Sequence, residues 1–299
     1  MSIFSASASA SAFTTFSFTT YDGTELACHV QGEGEPLICL PGGAMRASAY
    51  LGDLGGLAAT RRLVLLDSRG TGHSAFPQDE STYRVDHQVA DVEALRVHLG
   101  LERMDLLAHS ASGNLAMLYL VAYPQRVRRL ALVTPTAWAV DLAPSPEQQL
   151  EGARRRAGSE PYDTAIAAYE RLLAGGGGIP DEADRIAAMP LAYGRWDEAA
   201  RAHVAASTGE RNAKAAAAYG GPGAFDPPAT RAALRRVTSE VLVLAGEVDG
   251  NPDPALAARI AELFPRGAVD VQPGAGHFPW LDDAAWFAAR LERFLATGA

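Results

Sequence analysis

The stretch Leu106-Leu107-Ala108-His109-Ser110-Ala111-Ser112-Gly113-Asn114-Leu115-Ala116 constrains the fold more than any other. An apolar run stops abruptly at a serine flanked by small residues, and a helix-forming sequence follows. Residues 104 to 108 read as a short buried strand and Gly113 to Tyr123 as a helix, so the few residues between them must make a very tight turn. In such a turn the central serine takes a strained backbone conformation. Its hydroxyl stands above the strand end, and the next residue's N–H points into the same space. Ala108 and Ser112 occupy the positions where the pattern Gly-x-Ser-x-Gly carries glycine. A serine that merely caps the following helix would also fit there.

Two later segments supply the partners a nucleophilic serine needs. Val241-Leu242-Val243-Leu244-Ala245 is an apolar, β-branched strand ending in Gly246-Glu247-Val248-Asp249, which places a carboxylate in the loop at a strand's C-terminal end. Pro273-Gly274-Ala275-Gly276-His277-Phe278-Pro279-Trp280 follows another short strand at 268 to 272. A serine hydroxyl is a poor nucleophile until a base removes its proton. An imidazole does this well only when a carboxylate fixes its tautomer and stabilises its cation. Ser110, His277 and Asp249 are the candidates for these three roles, each just past the end of a strand, so a parallel sheet would gather them along one edge. Asp253, in Asn251-Pro252-Asp253-Pro254, is the competing carboxylate, although its place before a helix-opening proline suits an N-cap.

Around these segments the pattern is regular. Alternation at 13 to 19 and 24 to 30, with Asp22-Gly23 between, predicts an opening antiparallel hairpin. Strands at 37 to 40, 63 to 67, 104 to 108, 129 to 133, 241 to 245 and 268 to 272 then alternate with helical stretches at about 86 to 99, 113 to 123, 254 to 264 and 283 to 296. That alternation predicts a mostly parallel sheet with helices on both faces. In the first helix Val89, Val92, Leu95 and Leu99 form an apolar stripe, with His87, Asp91 and His98 expected on the wet side. Between Pro135 and about Arg231 the alternation gives way to Ala, Arg and Glu at helical spacing. Helices are expected at about 146 to 157, 161 to 173, 182 to 189, 196 to 207 and 210 to 219, around Gly175-Gly176-Gly177-Gly178-Ile179-Pro180.

Two further motifs complete a family resemblance. Leu37-Ile38-Cys39-Leu40-Pro41-Gly42-Gly43 is a buried strand running into a glycine pair, and Asp67-Ser68-Arg69-Gly70-Thr71-Gly72-His73-Ser74 matches Asp-x-Arg-Gly-x-Gly-x-Ser. With the serine turn and the Asp and His loops, in this order, the chain resembles the α/β-hydrolase superfamily from about Phe16 to Leu295. The resemblance implies a mostly parallel eight-stranded sheet and an inserted helical cap. The layout would be a disordered tail at 1–12, a core made of 13–135 and 231–299, and a cap at 136–230 that walls the substrate pocket. It implies that the N–H groups of Gly43 and Ala111 form an oxyanion hole and that Asp67 and Arg69 brace a loop. Within the superfamily the chain resembles the prolyl aminopeptidase-like branch. It departs from that branch in having Pro41-Gly42-Gly43-Ala44-Met45 and Ala108-His109-Ser110-Ala111-Ser112 where the branch carries His-Gly-Gly-Pro-Gly and Gly-Gly-Ser-Trp-Gly. Amine recognition in that branch uses cap carboxylates, for which Glu147, Glu151, Glu160, Asp163, Glu170 and Glu198 are the candidates.

Composition bounds the remaining choices. At 299 residues and 48% hydrophobic content the chain can bury one sizeable core plus a subdomain, and a net charge of −9 argues against nucleic acid or an anionic membrane as partner. No run approaches the roughly 20 apolar residues that span a bilayer. The first basic residue is Arg46, so the Ser-Ala alternation at 5 to 12 lacks the charged start of a signal peptide, and a cytoplasmic setting is expected. Cys28 and Cys39 are expected as buried thiols. No His- or Cys-rich cluster has ligand spacing, so neither a metal nor a cofactor is expected.

A serine at position 110 excludes the ester-forming aspartate of dehalogenase and epoxide hydrolase chemistry. Acyl transfer remains: Ser110 attacks an ester, thioester or amide carbonyl of a small molecule, and His277 acts as base and then acid. The same residues could serve lactone hydrolysis, transfer to another nucleophile or cyclisation. A non-catalytic ligand-binding protein of the same fold is the competing class. For substrate contact the candidates are Gly42, Trp138 and Phe278, with Trp196 and Trp280 as further aromatic walls. His109 is expected to pack or to hydrogen-bond a loop, and Ser112 to tune the turn or reach the Asp249 loop.

Overall fold

The computed structural model describes residues 13–175, 182–207 and 209–296. The expected tail at 1–12 and most of the glycine run lie outside the described residues.

Eight strands form one sheet: β1 (Thr14–Thr19), β2 (Glu25–Gln31), β3 (Pro36–Leu40), β4 (Arg62–Leu66), β5 (Met104–His109), β6 (Val127–Val133), β7 (Glu240–Gly246) and β8 (Gly267–Gln272), in the spatial order β1-β2-β4-β3-β5-β6-β7-β8. The first two pairings are antiparallel, Phe16 facing Cys28 and Val30 facing Val64, and every later pairing is parallel. This is the predicted mostly parallel sheet, each strand within two residues of its expected bounds. The central strands are mostly apolar because both of their faces are covered, and the charges they do carry near their starts are paired, Asp105 of β5 with Arg128 and Arg129 of β6. On β3, Ile38 and Leu40 join one core cluster and Leu37 and Cys39 the other. The same division separates Leu106 from Leu107 on β5, and Val243 from Leu242 and Leu244 on β7. Val92 and Leu95 of α1 (Val85–His98) and Leu115 and Leu120 of α2 (Ser112–Ala122) pack on the first face.

Between β6 and β7 the described residues contain no strand but six helices: α3 (Pro146–Arg154), α4 (Tyr162–Ala174), α5 (Glu182–Ala187), α6 (Glu198–Ala206), α7 (Ala213–Tyr219) and α8 (Pro227–Leu234). The helix expected at 182 to 189 stops at Ala187. Pro190 then sits within a 3-10 turn, Met189–Ala192, since proline cannot supply the N–H an α-helix interior requires. The last helix, α8, was not expected, and the anticipated boundary after residue 230 falls inside it. Ala215, Tyr219, Ala224 and Leu234 belong to the same core cluster as α2, so the end of the insertion packs on the sheet's helical layer. After β7 come α9 (Pro254–Ala261), the short α10 (Pro279–Asp282) and α11 (Ala284–Ala296). Phe287, Leu291 and Leu295 of α11 fill the second face.

The α1 stripe is buried as expected at Val92 and Leu95, but Asp91, expected on the wet side, is buried at 2% exposure. The Arg69 guanidinium, wholly buried, donates through Nε to Asp91 Oδ2 (2.8 Å) and through Nη1 to Asp22 Oδ2 (2.7 Å) and Thr82 Oγ1 (2.6 Å). Apolar periodicity cannot register a buried cation that draws a carboxylate inward. The Asp67 carboxylate braces the same loop, accepting from the Ser48 N–H and hydroxyl (both 2.8 Å), the His73 N–H (2.9 Å) and His29 Nε2 (2.9 Å).

Candidate active site

β5 ends at His109 and α2 begins at Ser112, so the turn between them is two residues long. Ser110 takes a positive φ of 53°, a conformation that costs a residue bearing a Cβ of order 1–3 kcal/mol and needs surrounding contacts to hold it. Those contacts are the Ser110 N–H on Val133 O and the Thr136 N–H on Ser110 O, both 3.0 Å. Crowding explains the small neighbours. A Cβ at Gly42 would lie 2.7 Å from the Ser110 Cβ, and one at Gly113 would lie 2.7 Å from the Pro135 Cβ. The Ser112 hydroxyl donates to the Pro41 carbonyl and thus ties the turn to the glycine loop, not to the Asp249 loop.

The structure brings Ser110, His277 and Asp249 into one hydrogen-bonded chain. His277 Nε2 lies 2.8 Å from Ser110 Oγ, and His277 Nδ1 lies 2.8 Å from Asp249 Oδ2. A carboxylate only accepts, so Nδ1 carries the proton and Nε2 is free to accept from the serine hydroxyl. Asp249 Oδ1 accepts from the Asn251 N–H (3.0 Å), which fixes the carboxylate. Asp253 does not take part: it caps α9, accepting from the Leu256 N–H at 2.7 Å.

Gly43 has φ +69°, and among the described residues neither its N–H nor that of Ala111 donates to a protein acceptor. The Gly42 N–H, by contrast, donates to the Tyr50 hydroxyl (2.6 Å), and Gly42, like Gly43 and Ala111, is not among the residues that line the cavity over Ser110 and His277. Tyr50 belongs to a longer relay. Its hydroxyl lies 2.6 Å from His109 Nδ1, and His109 Nε2 lies 2.9 Å from the His277 carbonyl. The carbonyl can only accept, so Nε2 bears the proton, Nδ1 accepts from Tyr50, and the tyrosine oxygen accepts from Gly42. The relay joins the glycine loop to the His277 loop through buried neutral groups. Burial, then the neighbouring His277, holds the His109 pKa well below 6.5. His109 is thus the loop-bonding residue the sequence suggested, while nothing in the sequence marks Tyr50.

A cavity of about 290 Å³ opens over Ser110 and His277, walled by α3, α4, the stretch 185 to 192 and the loop 248 to 251. Trp138 does not line it; this side chain is 39% exposed on a 3-10 turn. Phe278 does not line it either, because its ring packs between Tyr193 (centroids 5.0 Å) and His203 (4.7 Å) on the second face of the sheet. Trp196 and Trp280 pack in that same cluster. None of Glu147, Glu151, Glu160, Asp163, Glu170 and Glu198 reaches the cavity, whose acidic lining residue is Asp249 alone among those described. The lining instead contains Gln149, Tyr169, Arg156 and Arg185, which sequence reasoning did not single out because they lie in no motif.

Elsewhere, His29, Asp67 and His73 bring one ligand-type atom each within 4.8 Å of one another, a grouping their sequence spacing does not reveal. The Asp67 oxygens are already engaged as described above.

A sequence model of the α/β hydrolase fold matches residues 35–284. The chain is 27% identical over 280 residues to a proline iminopeptidase of Lactiplantibacillus plantarum, covering 89% of this chain and 93% of that protein. It is also 27% identical over 286 residues to a 2-hydroxymuconate semialdehyde hydrolase of Pseudomonas sp. (strain CF600), covering 90% and 89%. Among solved structures, an esterase from Rhodococcus sp. ECU1013 superposes with a TM-score of 0.68 at 26% identity, covering 95% of this chain and 99% of the other. No helix among the described residues is long and apolar enough to cross a membrane. With its eight-stranded sheet, its inserted helices and a family match spanning 35–284, the chain belongs to the α/β-hydrolase fold family and is a hydrolase of that type.

Proposed function

We propose that the protein is a serine hydrolase of small carboxylic esters, acting through Ser110, His277 and Asp249 by way of an acyl-enzyme. The observation that carries this reading is the unbroken relay from Asp249 through His277 to Ser110, two contacts of 2.8 Å at the floor of a cavity. Ser110 Oγ attacks the carbonyl as His277 Nε2 takes its proton. The tetrahedral oxyanion forms against the uncommitted N–H groups of Gly43 and Ala111, and the leaving oxygen departs with the proton from His277. Water then repeats the sequence on the acyl-enzyme. Asp249 keeps the imidazole in its working tautomer and stabilises the cation.

Amide cleavage of the aminopeptidase kind is the second reading, favoured by the similarity to a proline iminopeptidase. The cavity argues for esters instead. A free ammonium would need an acidic partner, and the described lining offers only Asp249, which is engaged with His277. A cytoplasmic setting is part of the proposal and accords with the two buried, unpaired thiols of Cys28 and Cys39.

Turnover of a short-chain p-nitrophenyl ester and of prolyl and alanyl naphthylamides, with Ser110→Ala as the blank, tests the reading. Ester turnover that vanishes in the blank supports it. A preference for the naphthylamides would place the chain with the aminopeptidases, and turnover surviving Ser110→Ala would overturn both.

A further inference from the structure

The cavity holds a cation without a dedicated anion. Arg156, at the end of the turn after α3, lines the same cavity as Ser110 and His277 and is half-buried. Its guanidinium is held by backbone carbonyls and by a ring. Nη1 donates to Leu191 O (3.2 Å) and more weakly to Pro190 O (3.4 Å), Nη2 donates to Gly194 O (3.2 Å), and the group lies 4.0 Å from the centroid of Tyr162. Carbonyls and an aromatic face orient a guanidinium but leave its full charge in place.

Among the described residues no carboxylate forms an ion pair with Arg156. The two that influence it at longer range, Asp282 and Asp249, are engaged elsewhere. Asp282 accepts from the Gly276 N–H (2.8 Å) and the Arg195 N–H (3.2 Å), and Asp249 serves His277 and Asn251. Burial lowers the Arg156 pKa, the signature of a desolvated cation that its surroundings do not fully compensate. Arg185, the other cation in the lining, differs: Glu182 engages its Nε and Nη2 at 2.8 and 2.6 Å. A preoriented and partly dehydrated guanidinium is well suited to a planar anion, which it can meet with parallel N–H donors.

We propose that the substrate is a small ester bearing a carboxylate and that Arg156 binds this carboxylate while Ser110 attacks the ester carbonyl. The proposal rests on the serine hydrolase reading. Arg156 makes and breaks no bond. The acyl group leaves its alcohol oxygen for Ser110 Oγ and then passes to water, so the products are one alcohol and one acid. The cavity of about 290 Å³ lies at the lower end of the range for small-molecule sites, in keeping with a compact substrate.

The test compares charged and neutral esters of similar size in two pairs: p-nitrophenyl hydrogen glutarate against p-nitrophenyl pentanoate, and 4-acetoxybenzoate against phenyl acetate. The first pair puts the carboxylate on the acyl part and the second on the leaving group, and Ser110→Ala supplies the blank in each. The expected result is a preference in kcat/KM of about tenfold or more for the charged member of one pair, the size of one well-made charge-assisted contact. Arg156→Gln should bring that ratio close to one, mainly through KM, and Arg156→Lys should keep part of it, which separates lost charge from lost folding. Calorimetric titration with glutarate reads the site without turnover: binding to the native protein should be lost in Arg156→Gln. No preference in either pair, a preference that survives Arg156→Gln, or absent glutarate binding overturns the proposal. Glutarate binding that depends on Arg156 without any ester turnover would instead overturn the serine hydrolase reading.

Discussion

At the scale of single residues, the candidate site depends on where three side chains leave their strands. Ser110 and His277 are legible in the sequence because each follows a short strand and sits among small residues that permit a tight turn. The carboxylate is less so, since Asp249 and Asp253 lie in one loop and both could be offered from sequence; only the distances separate them. The consequence is measurable by kinetics and thermal melting on the two variants. Asp249→Asn is expected to lower kcat by about 10⁴-fold, as loss of the orienting carboxylate does in serine proteases. Asp253→Ala should leave turnover nearly intact and cost about 1 kcal/mol of stability through the lost α9 cap. The reverse pattern would exchange the two roles. Gly42, Trp138 and Phe278 are candidates for substrate contact by proximity in sequence or by aromatic character. Neither property reports that Tyr50 already occupies the Gly42 N–H or that Phe278 faces the core. Arg156 and Tyr50 carry no local pattern at all, and their importance comes from partners distant in the chain.

At the scale of elements, the central strands are the most legible because burial on both faces demands mostly apolar runs, whereas the outer β1 and β8 are largely exposed and are marked by alternation or by position alone. Helices on the sheet were legible from their apolar stripes. The insertion was harder to read: its helices are short, and α8 is opened by Pro227-Pro228, a signal easily taken for a loop. Asp91 marks the limit of reading a helix from its apolar stripe, since its inward turn is set by Arg69 from another loop. That cation links α1, through Asp91, to the β1–β2 turn, through Asp22, and to the Thr82 hydroxyl. Arg69→Ala would strand the buried Asp91 carboxylate, whose pKa burial already raises despite the ion pair. The expected cost is about 3–5 kcal/mol, read by urea unfolding. A cost below about 1 kcal/mol would mean that water or a rearranged α1 takes the place of the guanidinium.

At the scale of the whole molecule, the sheet gathers the strand ends carrying Ser110, Asp249 and His277 along one edge, and the insertion between β6 and β7 covers them. The same burial makes the fold sensitive to acid. His203 is held neutral between the Tyr193 hydroxyl and the Tyr50 carbonyl, and burial first, then Arg46, pushes its pKa from 6.5 down to about 4. His109 is likewise shifted down by burial and by His277. For both groups the unfolded chain binds the proton more readily than the folded one. Their contribution is therefore fully present above pH 6.5 and is lost as the pH falls, for His203 until about pH 4. The melting temperature should fall over that window, and His203→Gln should flatten the fall even though it lowers the starting value. An unchanged slope in the variant would mean that His203 is not a proton-linked group.

The central claim is that Ser110 is the nucleophile activated by His277. Its most direct test is to incubate the protein with a fluorophosphonate and locate the adduct by peptide mass spectrometry. The account predicts one adduct per chain, on Ser110, with labelling abolished in His277→Ala. An adduct on another residue such as Ser112, or turnover of the ester with Ser110 unlabelled, would contradict it.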